Sequence, residues 1–221
     1  MRRPTRLLAP AFALALFAIL LVPATASAGD PSRQGTLVIS ADNLFGMVFG
    51  EWELETPGPD FEWDFSMVGF GASEPTTPLW TPRLAFDGFV IDGLSLGGSL
   101  SLVFRDDEDD FDDDNDDLLF LLNFRVGYLY MFADWVGIWG RGGFSYYNDD
   151  EEPNDNADRT QFALDLEGIF LFKIGEDWGI LAGPTAKIGL AGEWGDDPDD
   201  DDDYHEWGVG ISVGLAGWIG L

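Results

Sequence analysis

His205 is the only histidine in the chain, and it stands beside Asp203 and Glu206. A histidine next to carboxylates can move protons in hydrolysis. Ser145 and Ser212 are the serines that could serve it as nucleophile. No triad spacing joins these residues, and aspartate is so frequent that its adjacency to His205 is ordinary composition. No enzyme is expected, and a site centred on His205 is the weakest of three functional readings. The chain has no cysteine, which excludes thiolate metal sites and cysteine nucleophiles.

Carboxylates are the most abundant chemical groups. There are 41 acidic residues against 11 Lys and Arg, a formal charge of −30. That balance excludes a nucleic-acid binder, which needs a cationic face toward phosphate. The acids gather in three runs, 106–117, 149–158 and 193–203. Within them Asp112, Asp114, Asp116, Asp199, Asp201 and Asp203 are candidates for diffuse, weak Ca²⁺ or Mg²⁺ binding through carboxylate oxygen. Neither the D-x-[DN]-x-[DN]-G loop nor a glycine-rich calcium repeat occurs. Solvated, self-repelling loops are therefore the default reading, and no firmly held cofactor is expected.

A different set of charges is isolated among apolar residues. Arg83, Arg125, Arg141 and Lys187 and the acids Asp42, Asp87, Asp165 and Glu167 fall inside segments that alternate with a period of two. In 161–174, Phe162, Leu164, Leu166, Phe170 and Phe172 share one parity, and Gln161, Ala163, Asp165 and Glu167 the other. Alternation of this kind places the two sets on opposite faces of a strand. It recurs near 36–49, 82–91, 94–105, 118–132, 135–148, 178–194 and 205–220, giving eight strands. Segment 61–71 is also strand-like and reads as a hairpin extension or part of a long first loop, since a ninth crossing would break the even count.

Short connectors (Asp92-Gly93, Ala133-Asp134, Gly175-Glu176-Asp177) suit tight hairpins and alternate with the three acidic runs. Short turns at one end and long loops at the other are the pattern of an all-β transmembrane antiparallel up-and-down barrel, with periplasmic turns and acidic extracellular loops. The start of the chain agrees. Arg2, Arg3 and Arg6 precede an apolar stretch, 7–22, and Ala26-Ser27-Ala28 offers a cleavage site. This divides the chain into a signal peptide, 1–28, and a barrel, 29–221.

The content of the two parities assigns the faces. One carries large aromatic and aliphatic residues, which suit lipid. The other carries Gly, Ser, Ala and isolated charges, which suit the narrow lumen of a small barrel. Val136 falls on the lipid parity, and Trp135, Trp178, Trp194, Trp207, Trp218, Tyr128 and Tyr130 are placed to form interfacial girdles. The eight charges then face inward as four of each sign. Unpaired, they would be costly in so dry a space, so the expectation is a neutral, internally paired plug. The leading functional reading is a non-enzymatic barrel with a filled lumen and a structural or surface-interaction role. A narrow cation-selective channel through the ion pairs is the alternative.

The run Pro82-Arg83-Leu84-Ala85-Phe86-Asp87-Gly88-Phe89-Val90-Ile91-Asp92-Gly93-Leu94-Ser95-Leu96-Gly97-Gly98, with its strand, Asp-Gly turn and Leu-Ser-Leu-Gly-Gly strand, resembles outer-membrane proteins of Gram-negative bacteria. The whole pattern is similar to the small eight-stranded barrels of the OmpA transmembrane-domain and OmpX kind. The resemblance implies secretory export, insertion by the barrel assembly machinery, and a monomer surrounded by outer-membrane lipid. That machinery reads a terminal strand ending in an aromatic residue; here the end is Gly217-Trp218-Ile219-Gly220-Leu221. No catalytic residue is implied.

Overall fold

A computed structural model describes residues 29–55, 61–70, 78–106, 116–150, 159–194 and 202–221. The leader, 1–28, lies outside the described residues, as do most of the three acidic runs. Nine strands make up the fold: β1 (Thr36–Glu55), β2 (Phe61–Phe70), β3 (Arg83–Ile91), β4 (Leu94–Asp106), β5 (Asp116–Ala133), β6 (Val136–Asp150), β7 (Arg159–Lys173), β8 (Trp178–Trp194) and β9 (Asp202–Gly220). All pairings are antiparallel, and β1 also pairs with β9, so the sheet closes on itself.

Nine strands fill eight positions in the ring. β9 lies along one edge of β1 over its whole length. On the other edge, β3 pairs with Leu37–Asp42 and β2 with Phe45–Leu54. β2 and β3 are thus two halves of one barrel stave, and of the two readings offered for 61–71 the pairing of β2 with β1 matches the hairpin extension rather than the long first loop. The break falls opposite a bulge in β1, where the register against β9 shifts between Ala41 and Phe45. Asn43 there takes a left-handed backbone (φ 57°), which asparagine tolerates better than most residues. Its amide donates to the Thr81 carbonyl at 3.4 Å, just where the chain re-enters the wall. Between the two halves, the Pro78–Trp80 turn dips into the lumen and buries Leu79 and Trp80.

Hydrogen-bonded partners followed round the wall from Phe49 pass through Val209, Ala186, Leu166, Gly142, Val126, Leu96 and Gly88. They return to β1 at Leu37. That displacement along one strand is the stagger that a closed, tilted barrel requires. The first and last described residues lie at the end with the short turns. The Leu221 amide donates to the Gly35 carbonyl, and the Gly93 amide donates to the Ser32 carbonyl. Gly93 (φ 82°) makes the Asp92–Gly93 turn, and a Cβ there would also strike the Tyr128 ring.

Burial alternates residue by residue, without a slip through most of β7. The outer face carries Phe124, Phe144 and Phe162, each more than half exposed, together with Phe49, Leu96, Leu166, Val209 and Ile211. A closed sheet that satisfies its own backbone and turns an apolar wall outward is a transmembrane barrel. Trp135, Trp178, Trp207, Tyr128 and Tyr130 are on this exterior. The Trp194 side chain lies outside what is described. Two residues depart from the expected faces. Trp218 is 2 % exposed and points into the lumen, where its indole N–H donates to the Glu176 carbonyl at 2.9 Å. Val136, beside the tight turn into β6, is buried rather than lipid-facing.

Candidate functional site in the barrel lumen

The eight charged residues read from parity come together in the middle of the lumen, all buried. The register explains how. Asp87, Gly97, Arg125, Gly143, Asp165 and Lys187 are successive cross-strand partners from β3 to β8. A second row runs through Gly127, Arg141, Glu167 and Thr185. Asp42 and Arg83 are partners across β1 and β3. The glycines are slots for the ion pairs. A Cβ on Gly97 would lie 2.3 Å from Asp87 Oδ1, and one on Gly143 would lie 2.8 Å from the Arg125 Cα.

Arg125 is the hub. Its Nη1 reaches Asp42 Oδ2 at 2.6 Å, and its Nε and Nη2 fork onto both oxygens of Asp87, Nε at 3.0 Å. Arg141 reaches Glu167 Oε2 at 2.7 Å and Asp42 Oδ2 at 3.2 Å. Arg83 joins the other Glu167 oxygen at 2.8 Å to Asp165 at 3.3 Å. Asp165 also accepts from Asn123 Nδ2 at 2.6 Å and from the Ser145 hydroxyl, and it faces Lys187 Nζ at 3.6 Å. Every charge has an opposite partner, and every acid is shared or forked. This is the arrangement that makes buried charge tolerable.

Large apolar groups fill the lumen on both sides of this belt. The expectation of a lumen holding only small residues and matched ions is therefore corrected. Toward the turn end sit Phe89, Leu129, Trp139, Ile169, Leu171, Leu181 and Trp218. Toward the loop end sit Val48, Leu79, Trp80, Leu121, Tyr147 and Tyr204. A tilted barrel leaves more interior than two small rows can fill, and these large residues sit on the lumen parity itself, Leu121 and Leu129 with Arg125 and Ile169 and Leu171 with Asp165. The loop-side half also holds polar side chains that the sequence reading did not count as lumen charges. Arg159 and Glu206 are buried, as is Gln161. Parity already places Gln161 on the lumen side and is the signal for the other two, since Arg159 continues the row of Asp165 and Glu206 that of Ser212.

His205 and the two serines do not assemble. His205 lies on the outer face of β9, between the inward Tyr204 and Glu206 and cross-strand from Glu53. Ser145 and Ser212 are on the inner face, and Ser145 is bound to Asp165. A wall separates the imidazole from both hydroxyls. Asp112, Asp114, Asp199 and Asp201 lie outside the described residues. Asp116 opens β5 with its side chain undescribed, and Asp203 is exposed at the start of β9. Among the described residues no group of three or more His, Asp or Glu is placed to hold a metal.

The chain is similar to several solved structures. Ail, the attachment invasion locus protein of Yersinia pestis, is 12 % identical over 82 % of this chain and 99 % of its own, with a TM-score of 0.38. The N-terminal β-barrel domain of Pseudomonas aeruginosa OprF is 13 % identical over 83 % and 98 %, with a TM-score of 0.40. The outer membrane protease OmpT from Escherichia coli is 9 % identical over 83 % and 96 %, with a TM-score of 0.43. No family model matches the chain, and no curated protein does either.

Proposed function

We propose that this chain is a bacterial outer-membrane barrel whose lumen is a permanent side-chain plug, so that it serves as a structural and surface-interaction element rather than as a pore or an enzyme. One observation carries this reading: a belt of four basic and four acidic residues, paired throughout, lies between two apolar tiers and leaves no ion without a counter-ion. An ion crossing here would have to displace partners that hold one another in a dry space. The wall supports the address, because its aromatic and aliphatic exterior requires acyl chains around it. The protein acts as a monomer in that lipid, inserted by the barrel assembly machinery after its leader is removed. Its acidic loops meet the medium, repel anions and hold Ca²⁺ or Mg²⁺ only weakly.

Planar-bilayer recording of the refolded mature chain tests the proposal. The expected trace shows no discrete steps at neutral pH, and the protein migrates in the outer-membrane fraction with a heat-modifiable band. Reproducible cation-selective steps would replace this reading with the narrow channel.

A further inference from the structure

The loop-side half of the lumen is closed by residues that do not belong to the wall. Leu79 and Trp80 enter from the break between β2 and β3, and Lys187 holds both. The Lys187 ammonium donates to the Leu79 carbonyl and lies 5.5 Å from the centre of the Trp80 ring. Asn43 holds the following Thr81 carbonyl. Gly208 leaves the space that Trp80 occupies, since a Cβ there would be 3.1 Å from the indole.

The fit is apolar, but the surroundings are not. Gln161 is fully buried, with neither amide atom partnered. Its side chain is pressed onto Gly189 and Gly192 of β8. One oxygen of Glu206 is also unpartnered, the other accepting from the Tyr204 hydroxyl at 3.3 Å, and the indole N–H of Trp80 itself has no acceptor. Buried polar groups normally find protein or water partners. A space of about 20 Å³, room for one water, lies beside Trp80, and its lining includes neither Gln161 nor Glu206. Moving Leu79 and Trp80 aside would hydrate all of these groups at once. The floor beneath them is the ion belt, where each charge faces an opposite one, although Asp42 Oδ1, Arg83 Nε and Asp165 Oδ1 also lack a hydrogen bond.

We propose that Leu79 and Trp80 form a displaceable stopper, latched by Lys187, over a blind vestibule that admits water and small uncharged hydrogen-bonding solutes. Uncharged solutes fit because the vestibule offers donors and acceptors together, with Arg159 balancing Glu206 in charge. The inference rests on the filled-lumen reading, since the belt must remain the floor.

The chain has no cysteine, so a single introduced thiol reports access cleanly. Ala163 is buried in the loop-side cluster and Leu171 in the turn-side cluster. In the full mature chain refolded into vesicles, an Ala163→Cys thiol should react slowly with N-ethylmaleimide. Adding Trp80→Ala, alone or with Leu79→Ala, should speed that reaction at least tenfold, while a Leu171→Cys thiol stays unreactive in every background. Heat-modifiable migration restricts the measurement to folded protein, and Trp80→Ala alone carries the test if the double variant does not fold. Unchanged Ala163→Cys rates in the folded variants overturn the stopper, as does equal acceleration at Leu171→Cys. Ion conductance in these variants would instead overturn the filled-lumen reading on which the stopper rests.

Discussion

Both ends of the lumen are packed with large side chains, but they are closed in different ways. The turn-side cluster is drawn entirely from wall strands, β1, β3 and β5 to β9. Both of its indole N–H groups have acceptors. Trp139 donates to Ser95 Oγ at 3.2 Å, Trp218 donates to a carbonyl, and the Arg141 guanidinium lies 4.9 Å over the Trp139 ring. The loop-side cluster depends on two residues from an interruption of the wall and leaves an amide, an indole N–H and a carboxylate oxygen without partners. Equal burial therefore does not mean equal commitment. One plug is part of the barrel's closure, while the other is an insert that the barrel tolerates.

The ion belt divides the two halves, and removing its hub is the most severe way to test whether it is indispensable. Arg125→Met leaves Asp42 with Arg141 alone and deprives Asp87 of the only salt bridges found for it among the described residues. Breaking a buried pair from one side costs about 3–5 kcal/mol, so this variant should lose that much in reversible urea unfolding from vesicles. A loss below about 1 kcal/mol would mean that the belt is hydrated and that the two halves are not separated by a dry layer, because exposed pairs contribute only that much.

The contrast between the plugs themselves gives the next effect. Leu171→Ala removes a fully buried side chain from a site that the wall cannot collapse, and should cost about 3 kcal/mol. Leu79→Ala removes the same group from the insert, where Trp80 and the turn can shift into the space. About half that loss is expected, because the cost of a cavity falls as the site relaxes. Equal losses in the same unfolding assay would make the insert as rigid as the wall.

Much of this design was legible in the sequence, and the reason is the period of two. Alternation set the strands, their number of positions and the eight belt residues, because a residue's parity fixes its face once one face is buried. The stave broken at Phe70 and Arg83 was not legible in the same way. Its cause is a two-residue bulge at Asn43 that preserves the parity of β1 on either side, so the alternation passes through it unmarked. Trp218 was misplaced for a related reason. An indole suits an interfacial girdle and a lumen plug equally well by type, and only its row with Ser212 and Ala216 on β9 tells them apart. Arg159 and Glu206 went uncounted because the adjacent acidic runs masked their phase at the strand ends.

The finest test separates the two faces of one strand. Gly143 and Gly140 are three residues apart on β6, and composition alone treats them alike. Gly143 faces inward, where a Cβ would lie 2.1 Å from the Phe124 carbonyl oxygen and 2.8 Å from Arg125. Gly140 faces outward, with nothing within 4 Å of the same atom. Gly143→Ala should therefore cost about 1–3 kcal/mol, the usual penalty for forcing an atom into a filled core. Gly140→Ala should be neutral or stabilising by up to about 1 kcal/mol, because alanine loses less backbone freedom than glycine and meets no obstacle. The sign of that small second effect is the sharper observation. Destabilisation at Gly140 would mean that something outside the chain, a lipid or a second barrel, packs against the bare backbone there.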